Sequence, residues 1–134
     1  MGFFADFDPT NNILRITLEG HLTDAVAFDC ADKVGAFSAS QPPTNTIVDL
    51  SCTTKYDVSP EAIRRLARTP PSTSPTTQTL VVVAPKANAY GMSRMFQMMT
   101  EGTRPNQHVV RSMDEAYKLL GVKSPDFRPV NWDR

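Results

Sequence analysis

The chain has 134 residues, 40% of them hydrophobic, and its 14 basic residues are balanced by 14 acidic ones for a formal net charge of +0. That length suits one domain able to bury a core without disulfides or metals, and the balanced charge lacks the footprint of a nucleic-acid surface or a polybasic membrane patch. The longest apolar run, Leu80–Ala84, is too short to cross a bilayer, so no transmembrane segment is expected. The opening MGFFADFDPT carries Asp6 and Asp8 in place of a basic n-region, so it does not read as a signal peptide and the expected location is the cytoplasm.

Phe3, Phe4 and Phe7 precede a dense turn cluster, Asp8-Pro9-Thr10-Asn11-Asn12. Leu14, Ile16 and Leu18 then alternate with Arg15 and Thr17, the period-two pattern of a half-buried strand. Strands over Phe3–Phe7 and Ile13–Glu19 are therefore expected to form an N-terminal hairpin, closed by Gly20. A helix follows, started by Thr23 or Asp24, with Ala27, Cys30, Ala31, Val34 and Phe37 on one face and Gln41-Pro42-Pro43 as its stop.

A strand is predicted over Thr46–Leu50, then a loop over Ser51–Val58. Ser59-Pro60-Glu61 opens the second helix: serine supplies a cap oxygen, proline suits the first helical position, and glutamate favours the positive end of the dipole. Ile63, Leu66 and Ala67 make its buried side, Arg64, Arg65 and Arg68 its wet side, and Thr69–Gln78 reads as a surface loop. The continuous apolar run of Thr79–Ala84 is the signature of a strand covered on both faces, as in a parallel sheet. A third helix is expected over Ala89–Glu101 and a last strand over Gln107–Arg111. Ser112-Met113-Asp114-Glu115 is a capping box for a terminal helix that stops at Gly121.

The order β-β-α-β-α-β-α-β-α implies an α/β fold: a mixed, mostly parallel five-stranded sheet with an N-terminal hairpin and about four helices. Residues 1–122 are expected to form the single domain and 123–134 an irregular C-terminal tail, with Phe127, Val130 and Trp132 as anchors.

With these elements in place the chain resembles a STAS domain, the fold of the sporulation anti-sigma-factor antagonists, and within it the SpoIIAA-like branch of small bacterial proteins. The markers are Asp49-Leu50-Ser51 closing a strand and Asp57-Val58-Ser59 opening a helix, then Val109-Val110-Arg111 and Asp114-Glu115-Ala116 with Leu119-Leu120-Gly121. The antagonists carry an Asp-Ser-Ser-Gly-Leu type motif at a strand-to-helix loop, with the second serine phosphorylated by a partner kinase. On that resemblance Asp57 matches the aspartate and Ser59 the phosphorylated serine, while Val58 stands in place of the first serine and Pro60-Glu61 in place of Gly-Leu. The resemblance implies a non-enzymatic regulatory module whose partner is a kinase or an anti-sigma-type regulator. The residues by themselves favour a plain N-cap role for Ser59.

The SpoIIAA-like branch implies an alternative, a dimeric carrier or sensor of a small apolar ligand or lipid at a membrane surface. Tyr90, Met92, Met95, Phe96 and Met99 are the residues that bear on it. Met95, Met98 and Met99 share one helix face, and Met92 and Phe96 extend it. Methionine suits adaptable apolar contacts. Core packing accounts for most of such a stripe, but its width leaves little polar face, so one or two members are expected at the surface, with Met92 and Met99 the candidates.

Catalytic and metal chemistry finds little support. His21 and His108 form no metal-ligand spacing, and no glycine-rich phosphate loop exists, since Gly91 and Gly102 stand alone. Tyr90-Gly91-Met92 reads as a loop-to-helix entry. Asp49, Asp57 and Cys52 fall near one sheet end, but an aspartate closing a strand is commonly a turn residue. Cys30 reads as core and Cys52 as a free loop thiol. No cofactor and no catalytic residue is expected.

Overall fold

The turn that follows the first strand is built around one carboxylate. In the computed structural model, which describes residues 2–68, 78–102 and 106–131, Asp8 is fully buried and its Oδ1 accepts the backbone N–H groups of Thr10 at 2.9 Å and Asn11 at 3.0 Å. Asn12 takes the left-handed conformation at φ 55, a conformation asparagine tolerates better than most residues. The turn folds β1 (Phe3–Asp8) back antiparallel on β2 (Ile13–Leu18), pairing Phe3 with Leu18 and Asp8 with Ile13.

From β2 the sheet grows in parallel. β4 (Asn45–Asp49) lies beside β2, β6 (Thr79–Val83) beside β4, and β7 (Gln107–Val110) beside β6. The helices α1 (Asp24–Ser40), α2 (Pro60–Arg68), α3 (Ala87–Met99) and α4 (Met113–Leu120) complete the mixed α/β fold expected from the sequence, with its hairpin and mostly parallel sheet.

The main sheet has six strands, not five, in the order β7-β6-β4-β2-β1-β8. The sixth, β8 (Arg128–Val130), lies within the stretch expected to be irregular and pairs antiparallel with β1, Ala5 opposite Val130. Its Pro129 hid it, since proline is tolerated at a sheet edge but argues against a central strand. Two more short strands lie where the sequence suggests only a closing glycine and a loop. β3 (Gly20–Thr23) and β5 (Thr53–Asp57) pair in parallel as a separate two-stranded sheet. Gly20, at φ +75, makes the sharp turn out of β2. The polar sequence of β5, TTKYD, reflects its exposure: three of its five residues face solvent, so it carries no apolar alternation to read.

The main sheet is covered unequally. On one face Ile13, Ile47, Val81 and Val83 pack with Ala116 of α4. On the other, Leu14, Ile16 and Leu18 pack beneath α1, α2 and α3. α4 is capped as its sequence predicts, with Ser112 Oγ accepting the Glu115 N–H at 3.2 Å and Gly121 left-handed at φ 70. The reciprocal half of the capping box is displaced by one residue, because Glu115 Oε2 accepts the N–H of Arg111 at 2.9 Å.

Candidate functional site

Because β3 and β5 run in parallel, their ends deliver α1 and α2 to the same corner of the molecule. Thr23 caps α1, its Oγ1 accepting the N–H of Val26 at 3.3 Å. Ser59 caps α2, its Oγ accepting the N–H of Ala62 at 3.1 Å. The two helix starts are tied by Asp24, which accepts the Ser59 N–H at 2.7 Å and the Ser59 hydroxyl at 2.8 Å. Both helix N-termini, each with partial positive charge from unpaired N–H groups, thus share one carboxylate. Ser59 is half-buried, so its oxygen is within reach of solvent.

Asp57, the other half of the expected switch, points elsewhere: its Oδ2 lies 3.2 Å from His21 Nε2 in an exposed pair. In the sequence Asp24 is legible only as a helix starter. Its role as the partner of Ser59 depends on a contact across 35 positions, for which no local pattern gives a signal.

The expected apolar surface of α3 divides in two. Met92 and Phe96 turn inward and line a cavity of about 350 Å³ between the sheet and helices α1, α2 and α3. Met98 and Met99 turn outward, 65% and 42% exposed. Met95 is half-buried against the core. Met99 therefore lies exposed at the surface, and Met92 is half-buried where it lines the cavity. Tyr90 lies outside the cavity lining, with the Arg111 guanidinium 4.2 Å above its ring. α3 begins at Ala87, so Tyr90 and Gly91 sit inside the helix rather than at a loop-to-helix entry. The residue before the helix, Lys86, is anchored through its Nζ to the Thr53 carbonyl at 2.6 Å.

Burial, reinforced by the charge of Asp29, pushes the Cys30 thiol up to about 12, far above the range of a reactive thiolate. Cys52 is exposed. Asp49 Oδ1 accepts both the N–H and the hydroxyl of Ser51, at 2.9 and 2.6 Å, the turn role expected of a strand-closing aspartate. No group of three His, Cys, Asp or Glu side chains among the described residues is placed to hold a metal ion, and no described helix is long and apolar enough to cross a membrane.

No protein-family profile and no curated protein sequence matches the chain. Among solved structures it is similar to the Bacillus cell fate determinant SpoIIAA in its phosphorylated form, at a TM-score of 0.53 and 14% sequence identity, over 87% of this chain and 98% of that one. At that identity the likeness is one of fold: the chain has a STAS, SpoIIAA-like fold.

Proposed function

We propose that this chain is a non-enzymatic regulatory module that meets a protein partner at the α1–α2 corner, with phosphorylation of Ser59 as its switch. The observation that carries the reading is the pair of hydrogen bonds from Ser59 to Asp24. In the unmodified chain the serine hydroxyl donates to the carboxylate and fixes the two helix starts against each other. A phosphoryl group removes that donor and adds a charge of about −1.5 to −2 against an anion now 2.8 Å from the serine oxygen. Coulomb repulsion at that range forces the two helix starts apart or turns the phosphate outward over the α2 N-terminus, where N–H groups favour an anion. Either response changes the surface a partner sees. The likeness to a protein solved in its phosphorylated form supports the same reading, as does the placement of Ser59 on the resemblance drawn from the sequence. A kinase or an anti-sigma-type regulator is the partner class this reading implies.

The test is direct. Incubated with ATP and a lysate of the producing cells, the wild-type protein is expected to gain the mass of one phosphoryl group, mapped to Ser59 by fragmentation, and Ser59→Ala is expected to gain none. Phosphate on another residue, or on none, overturns the switch and leaves Ser59 as a cap alone. Ser59→Ala is in either case expected to cost about 1–2 kcal/mol in urea denaturation, for a lost cap and a lost carboxylate partner. Ser59→Asp is a poor mimic, since aspartate itself caps a helix.

A further inference from the structure

The β1 edge of the main sheet is finished by a segment that fits it incompletely. β8 pairs with β1 at Arg128 opposite Phe7, Pro129 opposite Asp6 and Val130 opposite Ala5. Its middle residue is a proline, which brings no backbone N–H and is a poor strand former. Phe3 and Phe4 pair with Leu18 and Thr17 of β2 on one side, and no described strand lies beside them on the other. Phe4 is 44% exposed. An edge with open backbone groups and an exposed aromatic is a template for further pairing.

Just before β8 the same segment rests on Arg15. The Phe127 ring lies 4.0 Å from the guanidinium. Arg15 gives Nη2 to Asp6 at 2.9 Å and Nη1 to the Tyr117 hydroxyl at 3.3 Å. Its Nε is buried with no hydrogen-bond partner, the one such side-chain atom among the described residues. A buried unpaired N–H costs free energy, so the closed arrangement is imperfect at the point where the ring sits. The segment is anchored at its start, where Asp8 accepts the Asp126 N–H at 3.0 Å. Beyond that anchor the one ion pair involving Arg128, to Asp126 at 3.3 Å, is exposed and holds little.

We propose that the β1 edge is a docking site for an extended segment of a protein partner, which displaces residues 127–130, pairs antiparallel with β1 over residues 3–7 and lays an aromatic side chain on Arg15. The chain's own segment shows the chemistry of the occupant: a backbone ladder for affinity, and a ring over a cation for specificity. The partner must outcompete a tethered segment, whose effective concentration is high. It does so by pairing over residues 3–7 rather than 5–7, and by carrying a strand-forming residue in place of proline. Asp126, held by Asp8, is the hinge about which the resident segment swings away. This surface uses neither Ser59 nor Asp24, so the failure of either proposal leaves the other to be judged alone.

The probe is the peptide Asp-Phe-Arg-Val-Val-Asn-Thr, which copies residues 126–131 with Pro129→Val and adds one residue to reach Phe3. It is titrated into the full-length 15N-labelled protein. In wild type, saturable shifts are expected at the amides of residues 3–7 and of Phe127, Arg128 and Val130. Phe127→Ala in the protein loosens the resident segment and is expected to bind the peptide about tenfold tighter, because a larger fraction stands open. Alanine in place of phenylalanine in the peptide is expected to weaken its binding to wild type about tenfold, because the incoming ring is lost. One substitution thus acts in opposite directions on the two sides of the contact, which general destabilisation does not imitate. Should Phe127→Ala fail to fold, the two peptides on wild type decide alone. No saturable shift in wild type, equal affinity of the two peptides, equal or weaker binding by a folded Phe127→Ala, or shifts confined to β7 at the opposite edge overturns the proposal.

Discussion

Val81 and Val82 are neighbours on β6 and face opposite helices. Val81 is 0% exposed and packs with Ile13, Ile47 and Ala116 against α4. Val82 is half-buried and lines the cavity beneath α1, α2 and α3. The same division holds on β4, where Ile47 is fully buried and Val48 is not. One face of the sheet is filled by large side chains, among them Met113, Tyr117 and Leu120 of α4. The other is roofed by α1, whose cavity-lining residues include Ala27, Ala31, Gly35 and Ser38. The small side chains on this side of α1 accompany open space, whereas the α4 face is filled.

The sharpest way to break this contrast is a matched pair of truncations on adjacent residues. Val81→Ala removes atoms from a close-packed site and leaves a void, and is expected to cost about 2–3 kcal/mol from the lost burial and the new cavity. Val82→Ala enlarges a space that already exists and is expected to cost about 1 kcal/mol or less, since its side chain already lacks part of its packing partners. Urea denaturation of the two variants decides it. Equal losses show that the two faces are equally well packed in solution.

The sequence shows only one of these faces. The alternation of Leu14, Ile16 and Leu18, the unbroken run of β6 and the caps at Ser59 and Ser112 are local patterns, and each forms the element it predicts. A continuous apolar strand announces that both faces are covered but not how tightly. The clue to looseness was present in the spacing of Ala27, Ala31, Gly35 and Ser38 along one side of α1, a stripe legible as apolar and small. β5 escaped because its residues face water, and β8 because it contains proline. The tie between Asp24 and Ser59 escaped for a different reason, being created by the parallel pairing of β3 and β5, a tertiary event that neither segment encodes alone.

A gentler probe fills the loose face instead of emptying it. Gly35 lies inside α1 and lines the cavity, and a Cβ built there meets nothing within 4 Å. Gly35→Ala gains helix propensity at no steric cost and is expected to stabilise the protein by about 0.5–1 kcal/mol. A rise in the urea midpoint supports open space beside α1. A fall shows that something else already occupies it.

The smallest effect at neutral pH belongs to the packed face, and it emerges only in acid. Asp8 ties the C-terminal strand to the hairpin turn, its Oδ2 accepting the Asn11 side chain at 2.7 Å and the Asp126 N–H at 3.0 Å. One residue beyond Asp126, Phe127 packs under the Arg15 guanidinium at 4.0 Å and closes the edge of the α4 face. Burial works against the charge on Asp8, but the Asn11 side chain and the N–H groups of Asp126, Asn11 and Thr10 outweigh it and lower its pKa below the usual 3.8. A carboxylate whose folded pKa is depressed contributes stability that is complete above its unfolded pKa and is lost as pH falls through the folded value. The clasp is therefore expected to hold unchanged from neutral pH to about 4 and to loosen only below it. Hydrogen exchange at the Asp126 amide, corrected for intrinsic rate, should then accelerate in wild type but be fast and pH-insensitive in Asp8→Asn. Amides of α1 and α3, over the cavity, are expected to show no matching transition. Coincident loosening of both faces over the same pH range shows that the two layers open as one unit, and the contrast between them is then a difference of packing without a difference of stability.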